Sequence, residues 1–181
     1  SEFVNYPKQH EDISYGQGFG EPHPVTLISE GAEARWLVPE EPVPNWEKNQ
    51  FQDAQWNTGL TGIGYDNTPK YAPFIGDGGN TNDQMRGINA SVYIRIPFVV
   101  GDASTINNLT LRMRWEDGFV AFLNGEEIHR ENAPDITQWD SRALSNRSNE
   151  TNAITLFDYP LSATLRNGEN ILAIQGLNAS P

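Results

Sequence analysis

The chain has 181 residues and a formal net charge of −12, with 20% charged and 10% aromatic residues and no cysteine. That length suits one domain with a real core, and the absent cysteines exclude disulfides and thiol chemistry. The acidic balance excludes a phosphate-backbone binder and disfavours an anionic membrane surface, since no basic surplus is available for either.

No apolar run is long enough to cross a bilayer, so membrane insertion is not expected. Ser1-Glu2-Phe3 has the look of a cloning remnant, so the start of the chain is silent about export. Cysteine-free chains rich in Asn, Thr and Gly are common among exported bacterial proteins. N-x-Ser/Thr sequons at Asn89, Asn108, Asn146, Asn149 and Asn178 then follow from composition.

Residues 1–24 read as a linker or N-terminal extension, with Pro7, Pro22, Pro24 and the run Tyr15-Gly16-Gln17-Gly18-Phe19-Gly20; residues 25–181 read as the domain. Early strands are expected at Val25 to Ser29, Ala34 to Val38 and Gly62 to Tyr65, and a helical turn or two at Trp46 to Ala54. The Asp66 to Asn89 loop is long and rich in Gly, Asn and Asp, a pattern typical of functional loops. Val92, Ile94, Ile96 and Phe98 then alternate with Tyr93, Arg95 and Pro97, and Leu109, Leu111, Met113 and Trp115 alternate with Thr110, Arg112 and Arg114. Both segments predict half-buried antiparallel strands.

Gly118 to Leu123, Asn124-Gly125 and Glu126 to Arg130 form the plainest hairpin, because Asn-Gly supplies the positive φ angles of a type I′ turn. Ile154 to Phe157 is a further short strand. Asn167-Gly168 introduces Asn170 to Gln175, short, apolar and expected to be buried on both sides. Many short strands between Gly, Pro and Asn turns predict an all-β fold, an antiparallel β-sandwich or jelly roll.

Leu27-Ile28-Ser29-Glu30-Gly31-Ala32-Glu33-Ala34-Arg35-Trp36-Leu37-Val38-Pro39, Trp56 to Asp66, Val92-Tyr93-Ile94-Arg95 and Asp117 to Glu127 occur in an order that resembles the galactose-binding-domain-like jelly rolls of large exported bacterial proteins. The resemblance spans roughly residues 25–178. It implies a carbohydrate-binding module, secreted or on a bacterial cell surface, covalently linked to other domains. It also implies a final strand after Asn178. One superfold serves many roles, so function must be argued from residues.

The three histidines, His10, His23 and His129, lack metal-ligand spacing, and no nucleophile elbow or Walker loop is present. Gly16-x-Gly18-x-Gly20 lacks the strand and helix of a dinucleotide site. Paired carboxylates for glycoside hydrolysis remain open, since sequence does not place two of them together.

A sugar site needs flat aromatic faces and hydrogen-bonding side chains for hydroxyls. Trp36 and Trp115 lie on alternating strands and read as core, Trp46 and Trp56 as packing at the sandwich end. Trp139 stands outside any apolar period, within Pro134-Asp135-Ile136-Thr137-Gln138-Trp139-Asp140-Ser141-Arg142. Trp139, Asp140, Arg142, Arg147, Asn152 and, from the other loop, Tyr65 are the candidate ligand residues; the competing reading makes Trp139 a lid on the core. Asp66, Asp77 and Asp83 offer closely spaced oxygens to a structural calcium, against the plainer reading of a solvated Asx-rich turn. Asp117, in the corner Glu116-Asp117-Gly118, reads as structural, capping its own turn.

Three functions remain: a non-catalytic module that targets an attached enzyme or surface protein to a polysaccharide or oligosaccharide, a spacer or adhesion domain without a sugar site, and a polysaccharide-active enzyme.

Overall fold

A computed structural model describes residues 24–66, 70–147 and 154–181. The protein is an all-β, antiparallel β-sandwich, with one short α-helix, α1 (Asn82–Met85), and two single-turn 3-10 helices, Ala72–Phe74 and Ala103–Thr105, among the described residues. The strands are β1 (Glu33–Leu37), β2 (Asn57–Leu60), β3 (Ser91–Val100), β4 (Leu109–Met113), β5 (Gly118–Leu123), β6 (Glu126–Glu131), β7 (Phe157–Leu161) and β8 (Gly168–Leu177). One sheet has six strands in the order β2-β1-β3-β8-β5-β6, and the other holds β4 and β7. No described helix is long and apolar enough to cross a membrane.

The centre of the large sheet is the β3–β8 pair, in register from Ser91–Leu177 to Val100–Gly168. One face of this sheet packs against the small sheet. Trp36, Val92, Ile94, Ile96, Phe98, Phe119, Ala121, Leu172 and Ile174 meet Leu111, Met85 and Leu165 in that layer. The alternation of Leu109, Leu111, Met113 and Trp115 places those residues against this core, while Thr110 and Arg112 face water.

The opposite face of the large sheet is also covered, which period-2 reasoning did not anticipate for β3. Tyr93 and Arg95 are buried alongside Val92 and Ile94, and only Pro97 and Val99 of that outer row are exposed. The cover is the irregular segment 39–56, which folds as successive turns rather than a helix. Trp46 lies flat on Tyr93, with ring centroids 4.0 Å apart and planes 5° from parallel. Trp56, Ile171 and Ala173 complete this second core, and Phe51, Phe122 and Trp139 pack against it.

Arg95 fixes that segment from beneath. Its side chain is 2% exposed; Nε donates to Asp53 Oδ2 at 2.7 Å, and Nη1 donates to the carbonyls of Lys48, at 3.0 Å, and Trp46. Arg35, one strand away, reaches the other carboxylate oxygen of Asp53 at 3.3 Å. A buried guanidinium is tolerable only when its charge and donors find partners, and here Asp53 and the two carbonyls take Nε and Nη1. Pro97 sits where pairing of β1 with β3 has already ended, at Arg95, so its missing N–H breaks no ladder on that side.

Other boundaries differ from the sequence reading. Val25 to Ser29 is not a strand. In place of Gly62 to Tyr65 the strand is Asn57–Leu60, and Gly64 makes one isolated bridge to Asn80. Gly59 and Gly62 explain this: a Cβ on Gly59 would stand 2.7 Å from the Gly78 backbone, and one on Gly62 would overlap the Phe74 carbonyl. These glycines let two backbone segments touch. The strand expected at Ile154 to Phe157 begins at Phe157 instead. The hairpin is as expected, with Asn124 and Gly125 at φ of 55° and 91°. Residues 170–175 of β8 are buried on both faces.

Removing Arg95 leaves Asp53 with Arg35 alone and frees the carbonyls of Trp46 and Lys48, so Arg95→Ala is expected to cost roughly 3 kcal/mol in urea unfolding. Asp53→Asn, which keeps a hydrogen-bond acceptor, is expected to cost clearly less.

Candidate functional site

The loops of interest gather where β3 and β5 begin and β8 ends. Three polar side chains from this edge, nearly absent from solvent, hold the 132–147 loop. Gln175 donates to the Gln138 carbonyl at 2.7 Å and to Ser91 Oγ at 3.0 Å, and Ser91 Oγ donates to the Ser141 carbonyl at 2.8 Å. Asn89 donates to the Pro39 carbonyl at 2.7 Å and, at 3.5 Å, to that of Trp139. Buried polar groups of this kind are satisfied in pairs, and here the pairs tie a loop to a sheet. Ser91 and Gln175 are visible in the sequence as polar residues inside apolar strands, a signal the sequence reading passed over.

The loop is closed at its base by Asn132, in a left-handed conformation (φ 49°), which donates to the carbonyls of Asp117 and Ser145. Asp117 is structural, as expected, but it does not cap its own turn. Its carboxylate accepts the backbone N–H groups of Arg147 at 2.7 Å and Ala179 at 2.8 Å, so it joins two distant segments.

Within this frame the candidate ligand residues separate. Trp139 is half-buried and packs against the second core, with Gln138, Asp140 and Arg142 exposed around it. Arg147 faces a different partner: its guanidinium lies 3.6 Å above the Trp115 ring and 4.8 Å from Phe157, and it donates to the Trp115 carbonyl. A stacked, hydrogen-bonded arginine is committed to those rings. Tyr65 is held through its hydroxyl by Asn178 Nδ2 at 3.2 Å. Asn178 also donates its N–H to Ala90 and accepts that of Ala143, so one residue links both candidate loops. Asn152 lies outside the described residues.

Asp66 and Asp83 line one polar cleft of about 500 Å³ with Asn80, Asn82 and Arg86. Asp77 is not among the lining residues; its carbonyl accepts from Leu60 N, in the glycine-lined contact described above. Among the described residues no group of three or more His, Asp or Glu side chains is placed to hold a metal ion. A second cleft, at the far end of the sandwich, lies between Ala103–Leu109 and Leu161–Leu165.

The Tyr93 hydroxyl reports on the rim of the aromatic cluster. Burial, then the charges of Glu47 and Asp140, push its pKa from 10.0 to about 12.

No family model matches the chain, and no curated protein matches it either. Solved structures with a similar fold include a β-glucuronidase from glycoside hydrolase family 2, at 12% identity and a TM-score of 0.47, with 86% of this chain and 14% of that one covered. A β-glucuronidase from an uncultured Clostridium sp. is 15% identical with a TM-score of 0.48, over 88% of this chain and 24% of its own. A β-glycosidase from Bacteroides vulgatus is 12% identical with a TM-score of 0.47, over 82% and 16%. The chain therefore spans less than a quarter of the length of each of these proteins.

The raised Tyr93 pKa has a stability consequence. Folding holds the phenol proton more tightly, so this contribution is fully present below pH 10 and is lost as pH rises from 10 towards 12. Tyr93→Phe is expected to flatten the alkaline limb of the stability curve in that window, followed by urea midpoints alongside tyrosinate absorbance.

Proposed function

We propose that this domain is a non-catalytic carbohydrate-binding module of the galactose-binding-like jelly-roll type, part of a longer exported bacterial protein, which holds an attached enzyme or cell surface against a polysaccharide. The observation that supports it is Trp139: a partly exposed tryptophan on a loop pinned by Gln175, Ser91 and Asn89, packed against the cluster that contains Trp46 and Tyr93 and accompanied on its loop by exposed Gln138, Asp140 and Arg142. An aromatic face backed by packed rings receives the C–H face of a pyranose, and the surrounding amide, carboxylate and guanidinium serve its hydroxyls. A pinned loop loses little entropy on binding. Asp140 at the rim and the net charge of −12 favour a neutral glycan over a strongly anionic one.

A glycan array followed by titration tests this reading. Binding is expected to shift tryptophan fluorescence, and Trp139→Ala is expected to weaken it roughly tenfold or more, the loss of about one stacking contact. Arg142→Ala is expected to do the same to a smaller degree. Wild-type protein is expected to release no reducing ends from the bound polymer. Melting of the fold by Trp139→Ala would assign that residue to the core, and unchanged binding would place the site elsewhere, with the Tyr65–Asp83 loop next.

A structural calcium is proposed for the Asp66–Asp83 cleft, whose two carboxylates and two amide side chains are the oxygen donors calcium takes. A cation bound only by the folded state stabilises it by mass action. Chelator is then expected to lower the melting temperature and added calcium to restore it; coincident melting curves would remove the metal.

A second reading, a spacer or adhesion domain, is favoured by Ile136 and Leu144, 78% and 68% exposed on the same loop. Singly exposed apolar side chains are ordinary, so this reading ranks second. Failure of every glycan, with a protein partner that protects these two residues, would reverse the order.

A further inference from the structure

The chain contains two Asn-Gly dipeptides, the pairing most prone to spontaneous loss of the asparagine amide, because glycine leaves its backbone nitrogen sterically free to attack. The fold treats them differently. Asn124 is gripped at both ends of its side chain: Oδ1 accepts from Ile171 N at 3.0 Å and from Asn49 Nδ2 at 3.0 Å, while Nδ2 donates to Asn170 Oδ1 at 2.8 Å. Asn170 is itself fully buried and held by the backbone of Arg166 and Gly168. For the Asn124 side chain to swing onto the Gly125 nitrogen, that whole set must break.

Asn167 is exposed, and among the described residues its side chain makes one hydrogen bond, Oδ1 accepting from Ala103 N at 2.8 Å. That bond leaves Nδ2, the leaving group, in solvent. Gly168 follows at φ 85°, a conformation closed to most other residues.

We propose that Asn167 is a self-modification site in the folded protein and that Asn124, the same dipeptide, is protected by the fold. The Gly168 backbone nitrogen attacks Asn167 Cγ, a C–N bond forms, and the amide nitrogen leaves as ammonia, carrying the proton displaced from the glycine nitrogen. The resulting five-membered succinimide adds one water at either carbonyl, giving aspartate or isoaspartate, with no oxidant or cofactor required.

The position gives the reaction a structural effect. Gly168 opens β8, the central strand, opposite Val100. Isoaspartate adds a methylene to the backbone immediately before that strand and loosens the Asn167–Ala103 anchor. Aspartate keeps an acceptor for Ala103 N. The site lies at the end of β3 and β8 opposite Ser91 and Leu177, so conversion is expected to lower stability while leaving the Trp139 loop intact.

Intact folded protein is incubated at mildly alkaline pH and mapped by peptide mass spectrometry, with fragmentation that separates aspartate from isoaspartate. Asn167 is expected to convert roughly tenfold or more faster than Asn124, the ratio set by the additional hydrogen bonds Asn124 must first break. In urea the two rates are expected to converge. Asn49→Ala, which releases one of the bonds on Asn124, is expected to speed conversion there in the folded state without changing Asn167. Comparable rates at both sites in the folded protein, or protection of Asn167 relative to the urea sample beyond that of Asn124, would overturn the proposal.

Discussion

The Arg95 clamp is the constraint on which the rest of the architecture depends. A six-stranded sheet facing a two-stranded one has more apolar surface than its partner sheet covers. Something else must cover the outer face, and the strand-free segment 39–56 has little internal hydrogen bonding to hold it there. Arg95 resolves this by extending from the sheet into the segment and binding it at Asp53 and at the carbonyls of Trp46 and Lys48. Trp46 is thereby laid on Tyr93, and the stacked pair brings about 1 kcal/mol beyond its area. Charge and ring stacking act on the same segment, one locating it and the other drying it.

Strand existence was legible where a strand follows one period or carries its own turn. The β5–β6 hairpin is determined by Asn124-Gly125, and β4 by Leu109, Leu111 and Met113, which face the core between the sheets. The reading broke down where burial depends on partners distant in sequence. Arg95 reads as a solvent-facing residue because arginine is mostly exposed, and no local pattern announces Asp53, forty-two residues earlier, as its partner. The Ala72–Asn80 stretch shows a second use of glycine: Gly78 accepts from Trp36 Nε1 at 2.8 Å and packs on Gly59, so these glycines serve a close backbone approach. Glycine at a close backbone approach and glycine in a flexible loop are the same letter.

The candidate site was half legible. Trp139 stood out because it lacks an apolar period, and the fold does place it in a loop with polar neighbours. The competing reading of Trp139, as a lid on the core, also meets the structure, since Trp139 rests on the second core; what sequence could not supply is where that core lies, because Tyr93 reads as an outward-facing strand residue. Arg147 shows the converse. Its proximity to Trp139 in the chain made it a ligand candidate, whereas Trp115 and Phe157, remote in sequence, are the rings it actually stacks on.

The same small set of buried polar residues links the fold to the candidate site. Ser91 and Gln175 occupy sheet positions where an apolar side chain would have packed, Asn89 lies just before β3, and each costs desolvation unless its hydrogen bonds are made. The bonds they make are to main-chain carbonyls of Pro39, Gln138, Trp139 and Ser141, groups that any residue at those positions would present. The frame therefore constrains the path of the 132–147 loop without constraining its outward side chains. Gln138, Asp140 and Arg142 are free to change while the backbone beneath them stays in place, which is the property a recognition surface needs from its scaffold. A loop held by side-chain to side-chain bonds would lack that freedom, since each change of specificity would loosen its own support.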